Sequence, residues 1–252
     1  MYILLTNDDG IRAPGLVAMY RELVKAHEVE VIAPETVQSA TGHGITMSTP
    51  LLTNRVKVED AFEGVAVDGR PADCVKLAID KLCERRPDLV VSGMNSGTNV
   101  GINVIYSGTV AAALEAGFLG VPAIAVSLYL RNEIETNYPR AAQYARRTID
   151  QILKLGLAPG QVATINIPAL RPDQEPAGVR FVRQCTRPFN DTYERRQDPR
   201  GRDYFWHASV FRLGDTEDDT DVAALRDGYI TVTPLQFDLT DHALLRKWQS
   251  RV

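Results

Sequence analysis

Cysteine and histidine are both scarce in this chain of 252 residues, which has 3 of the first and 4 of the second. Cys74, Cys83 and Cys185 form no CxxC pair, and an odd count gives no disulfide framework. A reducing compartment is therefore expected, and the chain reads as cytoplasmic. His27, His43, His207 and His242 include no pair at zinc-ligand spacing, so a zinc centre is disfavoured. No segment approaches the roughly 20 apolar residues of a membrane span. The start, MYILLTNDDG, has no basic leader and too short an apolar run for a signal peptide. Basic residues do not outnumber acidic ones: the net charge is -4, which excludes the broad positive footprint of a nucleic-acid polymer or anionic membrane binder. There is no GxxxxGK[ST] phosphate loop, and no GxSxG nucleophile elbow, which disfavours serine-hydrolase chemistry.

What is present is ordinary globular material, 44% hydrophobic and 24% charged, long enough for a sizeable core. Residues 2–6 (YILLT) read as a short buried strand. After Pro14 and Gly15, the residues Leu16, Met19, Tyr20, Leu23 and Val24 recur at helical spacing. Residues 28–34 (EVEVIAP) are the next strand. This β-α-β start predicts a parallel sheet with a right-handed crossover. Residues 50–58 and 64–69 look like an antiparallel excursion. A helix over 72–86, a strand at 87–93, a helix from Thr109 to a C-cap at Gly120, and a strand at 121–128 follow. A helix over 138–156 and a strand at 161–168 complete a doubly wound α/β domain spanning 1–168. Residues 169–252 look like an appendage, with more polar, antiparallel strands at 178–188, 191–197 and 202–213. A helix, turn and strand over 221–235 and a last helix capped by Thr240 or Asp241 close it.

In open α/β sheets ligands bind beyond the carboxyl ends of the strands. Asp8 and Asp9 come straight off the first strand. Two adjacent carboxylates repel, so this is either a solvated turn or a pair held by a cation. The loop after the second strand carries Gln38, Ser39, Gly42 and His43. Residues 92–109 alternate glycines (Gly93, Gly97, Gly101) with asparagines (Asn95, Asn99, Asn103). Glycine every fourth residue weakens a helix by roughly 1 kcal/mol each, so a long irregular loop is expected. It is either a ligand loop or one that caps itself with its own asparagines. Ser107, Gly108 and Thr109 then open a helix. Hydroxyls and free amides at that end make a phosphate seat, or a plain N-cap.

The stretches LLTNDDGIRAPG, APETVQSATGHGIT, VVSGMNSGTNVG, YSGTVAAALEA and DGYITVTPLQFDLT together resemble the SurE family of survival-protein nucleotidases. The likeness runs from Tyr2 to about Leu239, with the motifs in order. Two positions depart from the family pattern, Ala116 and Cys185, and neither lies in the metal motif. The resemblance implies a Rossmann-like, mostly parallel sheet with a C-terminal appendage used in subunit exchange, giving a homodimer or homotetramer. It implies a metal-dependent phosphatase of nucleoside 5'- and 3'-monophosphates, in some members also of short polyphosphate, with metal-activated water attacking phosphorus. By motif, one divalent cation per subunit, Mg²⁺ or Mn²⁺, falls to Asp8, Asp9, Ser39 and Asn95, with Asp8, Asp9 and Asn95 carrying catalysis. Phosphate contacts fall to Asn99, Ser107, Gly108 and Thr109. That all-oxygen set suits a hard cation. A phosphatase with an aspartyl nucleophile and a non-catalytic nucleotide sensor are the alternatives.

Overall fold

The computed structural model describes residues 1–188, 192–208, 213–214 and 216–251. The chain enters through β1 (Tyr2–Thr6), α1 (Pro14–Leu23) and β2 (Glu28–Pro34). A hairpin follows, β3 (Thr53–Val58) and β4 (Phe62–Val67), then α2 (Pro71–Leu77). Next come β5 (Leu89–Ser96), the short α3 (Asn103–Tyr106), α4 (Gly108–Phe118) and β6 (Ala123–Leu128). The helix α5 (Tyr138–Leu155) leads to β7 (Val162–Ile167). The rest holds β8 (Val179–Phe181), β9 (Tyr193–Gln197), β10 (Asp203–His207), α6 (Asp221–Arg226), β11 (Ile230–Leu235) and α7 (His242–Gln249).

The main sheet has the order β3-β4-β2-β1-β5-β6-β7-β11-β8. It is parallel except where β3 meets β4 and where β11 meets β7. Parallel strands covered on both faces read as continuous apolar runs, and β1, β6 and β7 are buried at every position. Alternation divides them between two cores. Ile3 and Leu5 face a layer with Leu16 and Met19 of α1 and Ala145 and Ile149 of α5. Leu4 faces the opposite layer, with Cys74 and Val75 of α2 and Ala112 and Ala116 of α4. This is the α/β sandwich the sequence predicts.

Three details differ from the sequence reading. The helix expected over 72–86 is α-helical only to Leu77 and ends in one π-helical turn, Ala78–Leu82, closed by the Cys83 amide on the Ala78 carbonyl at 2.9 Å. Residues 92–109 are not one long irregular loop. β5 runs on to Ser96 through a register slip between Ser92 and Asn95, and α3 occupies Asn103–Tyr106. The main sheet also continues past Pro168. β11 returns to lie antiparallel to β7, and β8 pairs parallel to β11, so neither belongs to a separate antiparallel unit. Pro234 is tolerated in β11 because β8 reaches only as far as Val232, leaving that stretch an edge. The antiparallel pair β9–β10 stands apart as its own exposed ribbon. Of the strands expected at 191–197 and 202–213, residues 191, 209–212 lie outside the described residues.

Candidate active site

The chain runs from β1 to β2 on one side, then returns to place β5 on the other side of β1. That reversal opens a crevice at the carboxyl ends of β1 and β5, where open α/β sheets take their ligands. Asp8 and Asp9 leave β1 there, and Asn95 and Ser96 end β5.

Asp8 is buried, with 4% of its surface exposed. Its Oδ1 accepts the Thr109 hydroxyl at 2.5 Å. Its carbonyl accepts the Gln38 amide at 2.7 Å, which brings Ser39 to the same edge. Ser39 itself is exposed, and Ala40 after it turns the loop with a left-handed φ of 56°. Gly108 packs on the Asp8 side chain from α4. Burial pushes the Asp8 carboxyl up; hydrogen bonds from Thr109 oppose this, and the Asp9 charge adds to it, for a net pKa of about 6. Asp9 is held from β5: the Ser96 amide donates to its Oδ2 at 2.8 Å. The Ser96 hydroxyl in turn lies 2.8 Å from the Tyr138 hydroxyl at the start of α5. Asn95 donates its side-chain amide to the Gly97 carbonyl at 2.8 Å, and among the described residues nothing donates to its carbonyl oxygen.

The glycine-asparagine segment is pinned from two sides. Asn99 donates its side-chain amide to Ser127 Oγ and its backbone amide to Asn166 Oδ1, at 2.8 and 2.9 Å. Gly101 donates its amide to Asp221 at 2.8 Å and accepts from Gln184 at 2.8 Å. Gly97 and Gly101 take φ of 138° and 58°, the left-handed range that lets the chain reverse here without a Cβ clash. Ser107 caps α4, its Oγ accepting the Val110 amide at 3.1 Å.

The sequence profile described as Survival protein SurE matches residues 3–191. The chain belongs to the SurE family. A protein of Moorella thermoacetica named 5'-nucleotidase SurE is 47% identical over 96% of this chain and 93% of its own length. One of Syntrophobacter fumaroxidans with the same name is 44% identical over 98% and 99%. The crystal structure of a SurE protein from Aquifex aeolicus superposes with a TM-score of 0.84 at 35% identity, covering all of this chain and 99% of the other.

This SurE chain thus gathers Asp8, Asp9, Asn95, Gly108 and Thr109 at one edge, with Ser39 on a loop tethered to Asp8. Thr109 arrives with its one side-chain donor engaged on Asp8, and Asn99 with one of its two amide N–H donors engaged on Ser127. Among the described residues no three His, Cys, Asp or Glu side chains cluster as metal ligands. The expected set has only two acids, with a hydroxyl and an amide. It fits a hard cation: a buried carboxylate beside a second one, a neutral carbonyl oxygen without a donor, and no nitrogen or sulfur.

His43 sits behind this edge. Its Nε2 is 2.8 Å from Glu115 Oε2, and Lys76 binds the other oxygen of Glu115 at 2.9 Å. The imidazole stacks on Phe118 with ring centroids 5.1 Å apart. Asp73 secures the same loop further on, accepting from the Thr46 amide and hydroxyl at 2.9 and 2.7 Å. Sequence reasoning missed Ser96, Tyr138, Ser127, Asn166 and Asp221. The signal available for Asp221 was an acid opening a short helix, which reads as ordinary capping.

Proposed function

We propose that this SurE chain is a phosphoric monoester hydrolase that cleaves nucleoside 5'- and 3'-monophosphates and depends on one divalent cation, Mg²⁺ or Mn²⁺. The observation that carries the reading is the meeting of Asp8, Asp9 and Asn95 with the N-terminus of α4 at the switch point of the sheet. The naming of full-length relatives as 5'-nucleotidases supports it. Asp8, Asp9, Ser39 and Asn95 would hold the cation. Once bound, it supplies positive charge beside the phosphoryl group and lowers the pKa of water.

The chain's own residues do the rest. The α4 N-terminus presents first-turn amides with no acceptor inside the helix, and Ser107, whose oxygen caps Val110, donates its hydroxyl proton to no acceptor among the described residues. Ser107 and Gly108 are therefore placed to bind phosphoryl oxygens, where charge builds as the ester bond breaks. Asn99 serves the same group by holding the loop through Ser127 and Asn166. Asp8 is a poor nucleophile for a phosphoenzyme, because it is buried and one oxygen is committed to Thr109.

The exposed ribbon β9–β10 carries Phe205 and Trp206, and α7 carries Leu244, Leu245 and Trp248 on one exposed face. Apolar faces of this kind mark contact surfaces, and a second copy of the chain is their proposed occupant, giving a dimer or tetramer.

The test is phosphate release from a panel of 5'- and 3'-nucleotides and short polyphosphate, with Mn²⁺ and with chelator. Cation-dependent release from nucleotides is expected. Release undiminished by chelator overturns the cation requirement, and nucleotide binding without release at saturating Mn²⁺ makes the protein a sensor.

A further inference from the structure

Thr109 is fully buried, and its hydroxyl lies 2.5 Å from Oδ1 of Asp8. An ionised carboxylate only accepts, so the proton in that bond belongs to Thr109. A hydroxyl has one proton, and here it is engaged; it is not available to a phosphoryl oxygen. On the other side of the carboxylate stands Gly108. A methyl group there would come within 2.9 Å of Asp8 Cβ and 3.1 Å of Asp8 Oδ2, and 3.2 Å of Pro71. Contacts that short force something to shift, so the glycine leaves the space that Asp8 occupies. Two of the three residues that open α4 thus face Asp8.

We propose that Thr109, backed by Gly108, is a positioning residue for Asp8: it holds one carboxylate oxygen in place so that the other is presented to the divalent cation. This rests on the cation reading above and divides the labour within residues 107–109. Ser107 and the Gly108 amide remain for phosphate, while the Thr109 side chain governs cation affinity. Partners that orient a ligand side chain typically change metal affinity about 10- to 100-fold when removed.

The experiment is Mn²⁺ binding to the nucleotide-free protein, by calorimetry or by paramagnetic resonance of free Mn²⁺. The variants are Thr109→Val, Thr109→Ser and Gly108→Ala, each checked by thermal unfolding. Thr109→Val should bind Mn²⁺ at least about 10-fold more weakly, and Thr109→Ser should recover most of that loss. At saturating Mn²⁺, competitive inhibition by inorganic phosphate should be the same in Thr109→Val as in the unaltered protein. Gly108→Ala, by displacing Asp8 while keeping the hydroxyl, should also weaken Mn²⁺. Wild-type Mn²⁺ affinity in Thr109→Val, or a weakened phosphate inhibition constant in its place, overturns the assignment. An Asp8→Asn control separates the two readings. If the unaltered protein binds no Mn²⁺, or Asp8→Asn binds it as tightly, the cation reading falls and takes this inference with it. If Asp8→Asn loses Mn²⁺ and Thr109→Val does not, this inference alone falls.

Discussion

The carboxylate of Asp221 accepts the backbone amide of Gly101 at 2.8 Å, across 120 positions of sequence. The same carboxylate accepts the Cys185 and Val222 amides at 2.9 and 2.8 Å. One buried acid thus ties the glycine-asparagine segment of the site to two segments of the C-terminal third. Replacing it by Asn puts a donor among donors. At least one buried N–H loses its acceptor, at a cost of about 1–3 kcal/mol. Asp221→Asn should therefore unfold at lower denaturant by that amount and lose most phosphatase turnover, although it touches no substrate. Wild-type stability and turnover would show that the segment holds itself.

The cation-free protein should lose stability as pH rises through the Asp8 titration. Its folded pKa, about 6, lies above the ordinary value of 3.8. A group raised in this way favours the fold fully below its unfolded pKa, and that contribution fades between about pH 4 and pH 6. Unfolding in chelator, compared with Asp8→Asn, isolates the effect: the variant should gain on the wild type as pH climbs across this window. A constant difference would mean that the Asp8 carboxylate is more open to water than its burial implies.

Much of this was legible in the sequence. β1, β6 and α5 declare themselves because fully buried strands are nearly unbroken apolar runs and α5 is strongly two-faced behind a Pro at its start. Asp8 and Asp9 stood out because paired acids after a parallel strand need a reason. What stayed hidden depends on contacts remote in sequence. Nothing local tells β11 to pair with β7, since its alternation suits any half-buried strand. Nor does a Ser-Gly-Thr triplet reveal whether its hydroxyls turn to a ligand, to the helix or to an aspartate. Ser107 does the second and Thr109 the third. The π-helical turn after Leu77 is likewise invisible, since helix-forming residues run on through it.

His43 and Lys76 share Glu115 but should differ in worth. His43→Ala removes a bond to a buried carboxylate and a ring stack on Phe118, together about 2–4 kcal/mol. The Lys76 side chain is 47% exposed, so Lys76→Ala should cost under about 1 kcal/mol. Denaturant unfolding of both variants decides it; equal losses would mean that the lysine, not the loop, governs Glu115.

Thr164 and Thr233 are register partners on β7 and β11, and both hydroxyls are buried without a hydrogen-bond partner among the described residues. Two orphaned hydroxyls replaced by methyls of the same shape should be neutral or favourable. The double variant Thr164→Val/Thr233→Val should raise the unfolding midpoint by about 2–4 °C if it gains about 1 kcal/mol. A clear drop would point to internal water bridging the pair.

Because β11 supplies the neighbour of β7, β7 is paired on that side only by a strand synthesised well after it. A nascent chain that has just made α5 and β7 already carries β1, β5 and α4, which surround Asp8, yet leaves β7 with a row of unpaired amides and carbonyls. Such an edge invites other strands. Stalled or nonsense-shortened products ending before Ile230 should accordingly be sticky and short-lived in the cell, even though Asp8, Asp9, Asn95 and Thr109 are all present in them.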